Sequence, residues 1–213
     1  MATTPRHGLP YVYVSWLTKL LAGDTQCLYQ PWLKSHFKYD KRPERSFDRA
    51  AWTNDHNRLV AARAEALRSE GWTVTLEDQN AFRLSGRGAI LAGKPDLVAV
   101  RDKVTLIVDG KTGRPSSADW WQVLIYMLVL PQISAGDGIT DVRGEVAYRD
   151  HVIAIEPEEL TPVIAQQIYA LIRSVSAGRQ ATTPSQKDCA WCDIADCTDR
   201  FVESTDPILT SEF

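Results

Sequence analysis

Two short apolar runs, residues 96–100 and 104–109, are separated by three polar residues. Runs of Val, Ile and Leu on either side of a short polar segment are typical of a β-hairpin. If a two-residue loop joins the strands, Asp96 lies directly opposite Asp109. Lys111, two positions after Asp109, then projects from the same face of the sheet. The pattern therefore predicts a hairpin that carries two carboxylates and one ammonium group at the same end.

This hairpin end has the chemistry of a metal site. Two carboxylates at cross-strand distance repel each other unless a cation lies between them. Carboxylate, carbonyl and water oxygens suit Mg2+ or Mn2+. A lysine beside such an ion can orient or deprotonate a water molecule, or stabilise charge that develops on a phosphoryl oxygen. The prediction is metal-dependent phosphodiester hydrolysis, and the alternative is a surface hairpin with exposed acids.

Hydrophobic periodicity predicts the other elements. The predicted helices are 56–70, capped by Asn54 or Asp55, then 118–130, capped by Ser116 or Ser117 and followed by Pro131, and finally 158–177. The predicted strands are 72–77, in the same sheet as the hairpin, and 144–148 with 151–155, which form a second hairpin. Residues 11–22 fit a short strand or a helix beginning near Ser15, and the helix is favoured.

The helix 118–130 carries a polar strip on an otherwise apolar surface. Gln122 and Tyr126 are one turn apart and share a face with Asp119. Because so apolar a helix is expected to be buried on most sides, the strip is more easily explained by an active-site cleft than by solvent. The alternative is an ordinary polar outer face.

Composition limits the class of protein. The chain has 213 residues, 44% of them apolar, which is enough for one substantial core. No apolar run could span a bilayer and the N-terminus does not resemble a signal peptide, so we expect no membrane partner and a cytoplasmic location. With a formal net charge of −3, DNA contacts must be local. The basic and aromatic residues of 34–49 could supply such contacts, and a solvated loop is the alternative.

The segment from Gly88 to Lys94 has the Gly-x4-Gly-Lys spacing of a phosphate-binding loop. Position 95 is proline, where that loop requires a Ser or Thr hydroxyl for Mg2+. A strand is predicted to follow, so no helix N-terminus would face the phosphates. We therefore expect no nucleotide cofactor.

The four cysteines suggest a second metal centre. Cys189, Cys192 and Cys197 lie within nine residues, and Cys27 is the only other cysteine in the chain. Disulfides are not expected in the cytoplasm, where thiols are kept reduced. Four thiolates that meet in space could hold either zinc or an iron–sulfur cluster, and the spacing does not separate the two.

Several motifs together resemble a known family. Pro95-Asp96 followed by Asp109-Gly110-Lys111 resembles the core of the PD-(D/E)XK nuclease superfamily. Gln122 and Tyr126 match the Gln-x-x-x-Tyr helix of its RecB-like branch. The resemblance implies that Asp96, Asp109 and the carbonyl of Gly110 hold the divalent ion. It also implies that His56, on a helix upstream of this core, is a further ligand.

The cysteine pattern extends this resemblance. One N-terminal and three C-terminal cysteines around a nuclease core resemble the iron–sulfur branch of these nucleases, which includes CRISPR-associated exonucleases and the AddB subunit. The resemblance implies a 4Fe-4S cluster on Cys27, Cys189, Cys192 and Cys197, with zinc as the alternative. The cluster would tie the two chain ends together as a clasp.

The resulting expectation is an α/β fold with a central mixed sheet flanked by helices, a restriction-endonuclease-like core with a small Cys-ligated helical clasp. The expected division is 1–50 as an N-terminal segment contributing Cys27, 51–178 as the nuclease core and 179–213 as the Cys-rich segment and tail. The implied function is an Mg2+- or Mn2+-dependent exonuclease on single-stranded DNA ends. Its setting would be repair, recombination or CRISPR spacer processing, with protein partners from recombination or CRISPR adaptation.

The resemblance implies that catalysis depends on five residues acting together: Asp96, Asp109, Lys111, Gln122 and Tyr126.

Two alternatives assign the chain to other classes of protein. One is a catalytically silent DNA-binding or assembly subunit that keeps the fold and a structural metal cluster. The other is a redox or metal sensor that works through the cysteines. The complete set of two acids and one lysine argues against the first alternative.

Overall fold

A computed structural model describes residues 3–43, 48–133 and 141–202 of the chain. The strands of these residues are β1 (Thr4–Pro5), β2 (Tyr11–Tyr13), β3 (Phe37–Lys38), β4 (Thr73–Leu76), β5 (Phe82–Ser85), β6 (Ile90–Gly93), β7 (Leu97–Arg101), β8 (Val104–Gly110), β9 (Asp141–Ala147) and β10 (Val152–Ile155). The helices are α1 (Thr18–Leu21), α2 (Tyr29–His36), α3 (Arg49–Ser69), α4 (Ser117–Ile133), α5 (Pro162–Ser176) and α6 (Gln186–Trp191).

The central sheet has five strands in the order β10-β9-β8-β7-β4. Strands β8 and β9 are parallel, and the other neighbours are antiparallel, so the predicted mixed sheet is confirmed. Helix α4 connects β8 to β9 and covers one face. It packs so closely that a Cβ atom on Gly144 of β9 would lie 2.4 Å from Val123 Cγ1 and 2.8 Å from Met127 Sδ.

Helix α3 covers the opposite face of the sheet. A buried cluster joins this helix to the central strands, and its members are Val60, Ala64, Leu67, Leu97, Ala99, Val108 and Ala147. The apolar residues of β7 and β8 are therefore covered on both sides, which explains why these strands are continuous apolar runs. The predicted arrangement of a sheet flanked by helices is confirmed.

The register of the central hairpin follows the sequence pattern. Leu97 pairs with Val108, and Arg101 pairs with Val104, which leaves Asp102 and Lys103 as a two-residue loop. Asp102 adopts a φ of 55°, in the left-handed region that aspartate tolerates better than most residues. The second predicted hairpin is also present, with Val152 of β10 opposite Ala147 of β9.

The predicted start of α3 and the predicted end of α4 are wrong. Helix α3 begins at Arg49 rather than near His56, because the Asp48 side chain accepts a hydrogen bond from the N–H of Ala51 and caps the helix there. Helix α4 continues through Pro131 to Ile133. Proline lacks one N–H donor, but within three residues of a helix end the loss of a single backbone hydrogen bond is tolerated.

The segment 11–22 contains both of the elements that were considered for it. Tyr11–Tyr13 form strand β2, a 3-10 turn follows at Val14–Trp16, and helix α1 ends at Leu21. The favoured interpretation as a single helix is therefore wrong. Helix α5 likewise begins at Pro162, capped by Thr161, after a separate 3-10 turn at Pro157–Glu159.

A three-stranded sheet, β2-β6-β5, lies beside the central sheet and was not predicted as a unit. Strand β6 ends at Gly93, where a Cβ atom would lie 2.7 Å from Phe82 Cζ and 2.8 Å from Tyr126 Cε1. Glycine at this position lets the α4 tyrosine pack against the strand. Strand β7 follows Lys94 closely, so the glycines of this segment border a strand.

The two ends of the described chain are in contact. Trp32 and Leu33 of α2 form a buried cluster with Ile194, and Tyr29, Phe37, Tyr39, Cys192 and Cys197 pack against it. Lys34 Nζ lies 2.7 Å from Asp193 Oδ1, and the Tyr39 hydroxyl donates to Asp193 Oδ2 at 2.8 Å. Much of the basic and aromatic segment 34–49 therefore stabilises this junction. Residues 44–47 of that segment, and residues 203–213 of the predicted tail, lie outside the described residues.

No helix among the described residues is both long enough and apolar enough to cross a bilayer.

Candidate active site

Three carboxylates form a row across strands β4, β7 and β8. The pairing of β7 with β8 places Asp96 opposite Asp109. Strand β4 ends at Leu76, opposite Leu97, and Glu77 begins the 3-10 turn that follows it. The Glu77 N–H donates to the Asp96 carbonyl at 2.9 Å, so Glu77 lies beside Asp96 on the other side. Directly paired residues project from the same face of a sheet. The row therefore contains the two predicted acids and a third, Glu77, which was not predicted to be part of the site.

Asp96 is the middle member of the row. Its side chain is buried, and Oδ2 accepts a hydrogen bond from the Gly110 N–H at 2.7 Å. Its other oxygen, Oδ1, lies 3.4 Å from His56 Nε2. Asp96 is therefore held by the backbone of β8 on one side and by helix α3 on the other.

Helix α3 carries the predicted histidine into the site. The ring of Trp52 stacks on His56 with centroids 5.3 Å apart and an interplanar angle of 13°, which fixes the imidazole plane. Hydrogen bonding to Asp96 raises the pKa of His56, and burial opposes this rise. Nδ1 of His56 is buried without a hydrogen-bond partner among the described residues. Trp52 and His56 share a helix face because they are four residues apart.

One group of side chains in the described part of the chain has metal-ligating geometry. It contains His56, Glu77 and Asp96, whose donor atoms all lie within 4.8 Å of one another. One nitrogen and two carboxylate oxygens form a donor set suited to Mn2+ or Mg2+. Ligands on opposite sides of an octahedral Mg2+ ion are about 4.2 Å apart, so small side-chain movements would bring all three atoms to one ion.

Asp109 lies next to this group but has different partners. Its side chain is 3% exposed, Oδ2 lies 2.7 Å from Lys111 Nζ, and Oδ1 accepts a hydrogen bond from Gln122 Nε2 at 2.8 Å. Burial raises the pKa of the Asp109 carboxyl, the charge of Lys111 opposes the rise and that of Asp96 adds to it. The role of Asp109 and of the Gly110 carbonyl as metal ligands stays a prediction.

Lys111 is the centre of a polar network. Its Nζ donates to Gln122 Oε1 at 3.0 Å and lies 3.9 Å from Asp119 Oδ1. Burial lowers the pKa of Lys111, but the charges of Asp109 and Asp119 outweigh this effect and the net shift is upward. The Lys111 side chain, which is 24% exposed, therefore stays cationic in the cleft.

The Gln-x-x-x-Tyr pair faces this network, as the helical spacing predicted. Gln122 Nε2 donates to the Tyr126 hydroxyl at 3.2 Å, and that hydroxyl lies 3.5 Å from the Lys94 carbonyl. Asp119, one turn earlier on α4, accepts a hydrogen bond from the Tyr148 hydroxyl at 3.0 Å. Tyr148 was not predicted, because its only signal is its position just after β9.

These side chains line one cleft of about 430 Å3. The predicted residues His56, Asp96, Asp109, Gly110, Lys111 and Gln122 all border it, and so do Glu77 and Lys94. Tyr126 reaches the cleft through its hydrogen bond with Gln122. The structure thus brings the sequence motifs together, although their roles in binding and catalysis are not shown by position alone.

The four cysteines line a second, smaller cavity at the junction of the chain ends. No three of their Sγ atoms lie within 4.8 Å of one another, as far as the structure describes the chain. Burial raises the pKa of the Cys197 thiol, a backbone hydrogen bond from Asp199 lowers it, and the nearby Cys192 and Cys189 raise it further. The cysteines are thus neighbours, and a ligated cluster is not shown.

The fold and the site together define a protein in which acids, a lysine and a histidine converge at one end of the strands of the central sheet. Residues 18–197 match the PD-(D/E)XK nuclease superfamily, and the chain belongs to this superfamily.

Sequence comparison finds no match among curated proteins. Among solved structures, the chain is similar to SSO0001, with a TM-score of 0.44 and 14% identity over 88% of this chain and 84% of that one. It is also similar to a protein from Eubacterium rectale named "Putative exonuclease", with a TM-score of 0.48 and 14% identity over 93% of this chain and 91% of that one.

Proposed function

We propose that the chain is a divalent-metal-dependent DNA nuclease of the RecB-like branch, acting as an exonuclease on single-stranded DNA ends. The observation that carries this proposal is the cleft itself. It holds a group with metal-ligating geometry, His56, Glu77 and Asp96, directly beside the ion pair of the buried Asp109 with Lys111. Membership of a nuclease superfamily supplies the reaction class.

The donor set fits a hard divalent ion. His56, Glu77 and Asp96 would hold it. The carbonyl of Gly110 and the carboxylate of Asp109 would complete the donor set once Asp109 exchanges its contact with Lys111 or Gln122 for the ion. When bound, such an ion lowers the pKa of a water molecule and offsets the charge of the phosphoryl oxygens. The imidazole is a softer ligand than a carboxylate, so we expect Mn2+ to serve at least as well as Mg2+.

The remaining residues orient the reacting groups. Lys111 is cationic, partly buried and held by Asp109 and Gln122, so its Nζ is fixed where it can position a water molecule and offset negative charge on the phosphate. Gln122 bonds to both members of this pair and therefore sets their geometry. Tyr126 in turn supports Gln122 and contacts the backbone that leads into Asp96.

We propose a 4Fe-4S cluster on Cys27, Cys189, Cys192 and Cys197 as a structural clasp. All four thiols line one cavity at the junction of the chain ends. The choice of an iron–sulfur cluster follows from the resemblance of one N-terminal and three C-terminal cysteines to the iron–sulfur branch of the family, and zinc remains the alternative.

The biological setting follows from the family resemblance. DNA is the proposed partner, in repair, recombination or the processing of CRISPR spacers. Protein partners would come from recombination or CRISPR adaptation. The alternative of a catalytically silent subunit has less support, because all of the acids, the lysine and the histidine meet in one cleft.

The direct test measures cleavage of three kinds of labelled single-stranded DNA: linear strands with free ends, linear strands with one end blocked, and circles. Each substrate is tested with Mg2+, with Mn2+ and with a chelator. We expect metal-dependent shortening of strands that have a free end. Lys111→Ala should abolish it. Lys103→Ala, at the exposed loop of the same hairpin, is the matched control and should retain it. A pure protein with no activity on any strand contradicts the nuclease proposal, and cleavage of circles contradicts end dependence.

A further inference from the structure

The outward face of the sheet β2-β6-β5 carries an unusual set of side chains. Val12 of β2 points into the core and is fully buried, whereas Tyr11 and Tyr13 on either side of it point outward. Tyr13 pairs with Ala92 of β6, and Ala92 pairs with Arg83 of β5. Two tyrosines and one arginine thus stand on the same face, with a small alanine between Tyr13 and Arg83.

The rings of this face contact one another at steep angles, 58° between Tyr11 and Tyr13 and 63° between Tyr13 and Trp16. The centroids of Tyr11 and Tyr13 are 5.1 Å apart, and those of Tyr13 and Trp16 are 4.9 Å apart. The guanidinium carbon of Arg83 lies 5.8 Å from the centre of the Tyr11 ring. We call Tyr11, Tyr13, Trp16 and Arg83 the aromatic platform. Tyr13 is an exposed member of this platform, with 43% of its surface accessible to a ligand.

A groove of about 670 Å3 runs from the platform to the candidate active site. It is lined at one end by Tyr11, Tyr13 and Arg83 and at the other by Gln122 and Tyr126. Lys94 and Gln122 border both this groove and the cleft that holds the acids. The groove and the cleft are therefore adjacent parts of one path along the surface.

The charge of the groove differs from that of the whole chain. Its ionised lining residues are Arg83 and Lys94, and no carboxylate lines it among the described residues. Lys94 is paired with Glu77 at 2.8 Å and Asp78 at 3.4 Å, whereas Arg83 forms no ion pair with any described residue. In a chain with a net charge of −3, the lining of this groove is locally positive, which is the charge that phosphate contacts require.

We propose that the aromatic platform binds unpaired nucleotides of single-stranded DNA and directs the strand along the groove towards Asp96 and Lys111. Bases would stack on Tyr13, and Arg83 would contact the backbone phosphates. Stacking of this kind needs a free base face, which a strand within a duplex does not offer. The proposal rests on the nuclease function of the adjacent cleft and identifies the part of the protein that selects a single strand.

The test uses binding without cleavage. Fluorescence anisotropy of a labelled oligo-dT strand, measured with chelator present, is compared with an abasic strand of equal length that keeps the phosphates but lacks the bases. Tyr13→Ala should weaken oligo-dT binding by about 5- to 150-fold, which corresponds to the loss of one base–aromatic stack. It should leave the affinity for the abasic strand unchanged. Tyr13→Phe should bind as the native protein does, since the ring remains.

Tyr169 on α5 provides a matched control, because it is a tyrosine of similar exposure, 39%, that lines a different cavity. Tyr169→Ala should not alter oligo-dT binding. If Tyr13→Ala binds oligo-dT as the native protein does, or loses affinity equally for the abasic strand, the platform does not stack bases. These outcomes leave the nuclease proposal untouched, since cleavage by the native protein is measured separately. Conversely, specific oligo-dT binding without any cleavage supports the platform and contradicts the nuclease.

Discussion

Glu77 is the residue of the site that the structure alone identified, and its replacement tests the metal-ligating group without any need for catalysis. We predict that Glu77→Gln weakens Mn2+ binding at least tenfold, because one of the two carboxylates of the group with His56 and Asp96 loses its charge. The fold should change little. The ion pair that Glu77 loses among the described residues, with Lys94, joins side chains that are 35% and 45% exposed, and such pairs contribute about 0–1 kcal/mol.

The expected size of the Tm shift follows from the linkage between Mn2+ binding and unfolding. At a Mn2+ concentration about 100 times the Kd of the native protein, binding raises the free energy of unfolding by about 2.7 kcal/mol. A tenfold weaker variant gains only about 1.4 kcal/mol at the same concentration. In a chain of this length about 1 kcal/mol shifts the Tm by about 2–4 °C. The native protein should therefore gain about 5–11 °C, and Glu77→Gln about 3–6 °C.

Thermal unfolding followed by circular dichroism, with chelator and with Mn2+, measures this difference. Asp78→Asn is the matched control, since it removes the same charge at the next position and also contacts Lys94 but lies outside the ligand group. It should keep the full Mn2+ shift. An unchanged shift in Glu77→Gln, or an equal loss in Asp78→Asn, would refute the assignment of Glu77 as a ligand.

Three further predictions concern other parts of the molecule. Tyr126→Phe keeps the ring and removes the hydrogen bond to Gln122. The kcat/KM for DNA should therefore fall about fivefold, corresponding to about 1 kcal/mol, while the Mn2+ affinity stays unchanged. A changed Mn2+ affinity would contradict the role of Tyr126 in supporting Gln122. Cys27→Ser should reduce iron content and Tm as much as Cys189→Ser does, because all four thiols line one cavity and each would be a ligand of the proposed cluster. One zinc and no iron per chain in the native protein would exclude the cluster but not the clasp. Gly144→Ala should lower the free energy of unfolding by about 1–3 kcal/mol, because the new Cβ would overlap the side chains of α4. Gly178→Ala should not lower it, because Gly178 has open space around it. Equal stability of the two variants in chemical denaturation would show that α4 can move away from β9.

The central hairpin could be predicted from the sequence because local rules determine it. A two-residue loop fixes the strand register, and the alternation of side chains between the two faces of a strand then decides which side chains lie together. Asp96, Asp109 and Lys111 converge for this reason. Gln122 and Tyr126 were predictable for a similar reason, because residues four apart on a helix share a face.

The position of Glu77 depends on contacts between distant segments. A strand was predicted over 72–77, but its pairing partner and register are set by packing between β4 and β7, which local sequence does not encode. Had the antiparallel pairing with β7 been assumed, Glu77 would have been placed beside Asp96. The early start of α3 was missed because Asn54 and Asp55 resemble caps, whereas the Asp48 cap and the apolar face of the helix determine its true length.

The row of acids is balanced in the structure by a row of bases. Glu77 pairs with Lys94 at 2.8 Å, Asp96 lies 3.4 Å from His56, and Asp109 lies 2.7 Å from Lys111. Each carboxylate therefore has its own basic partner, which reduces the repulsion that three adjacent acids would otherwise create.

This compensation links the metal site to the groove. A divalent ion that binds Glu77 competes with Lys94 for the same carboxylate, and a cation that loses its partner is available to a phosphate. Lys94 borders both the cleft and the groove, so the side chain displaced at one site remains in reach of the other. Metal binding and the binding of a DNA strand should therefore favour each other, because each removes a partner that the other must displace.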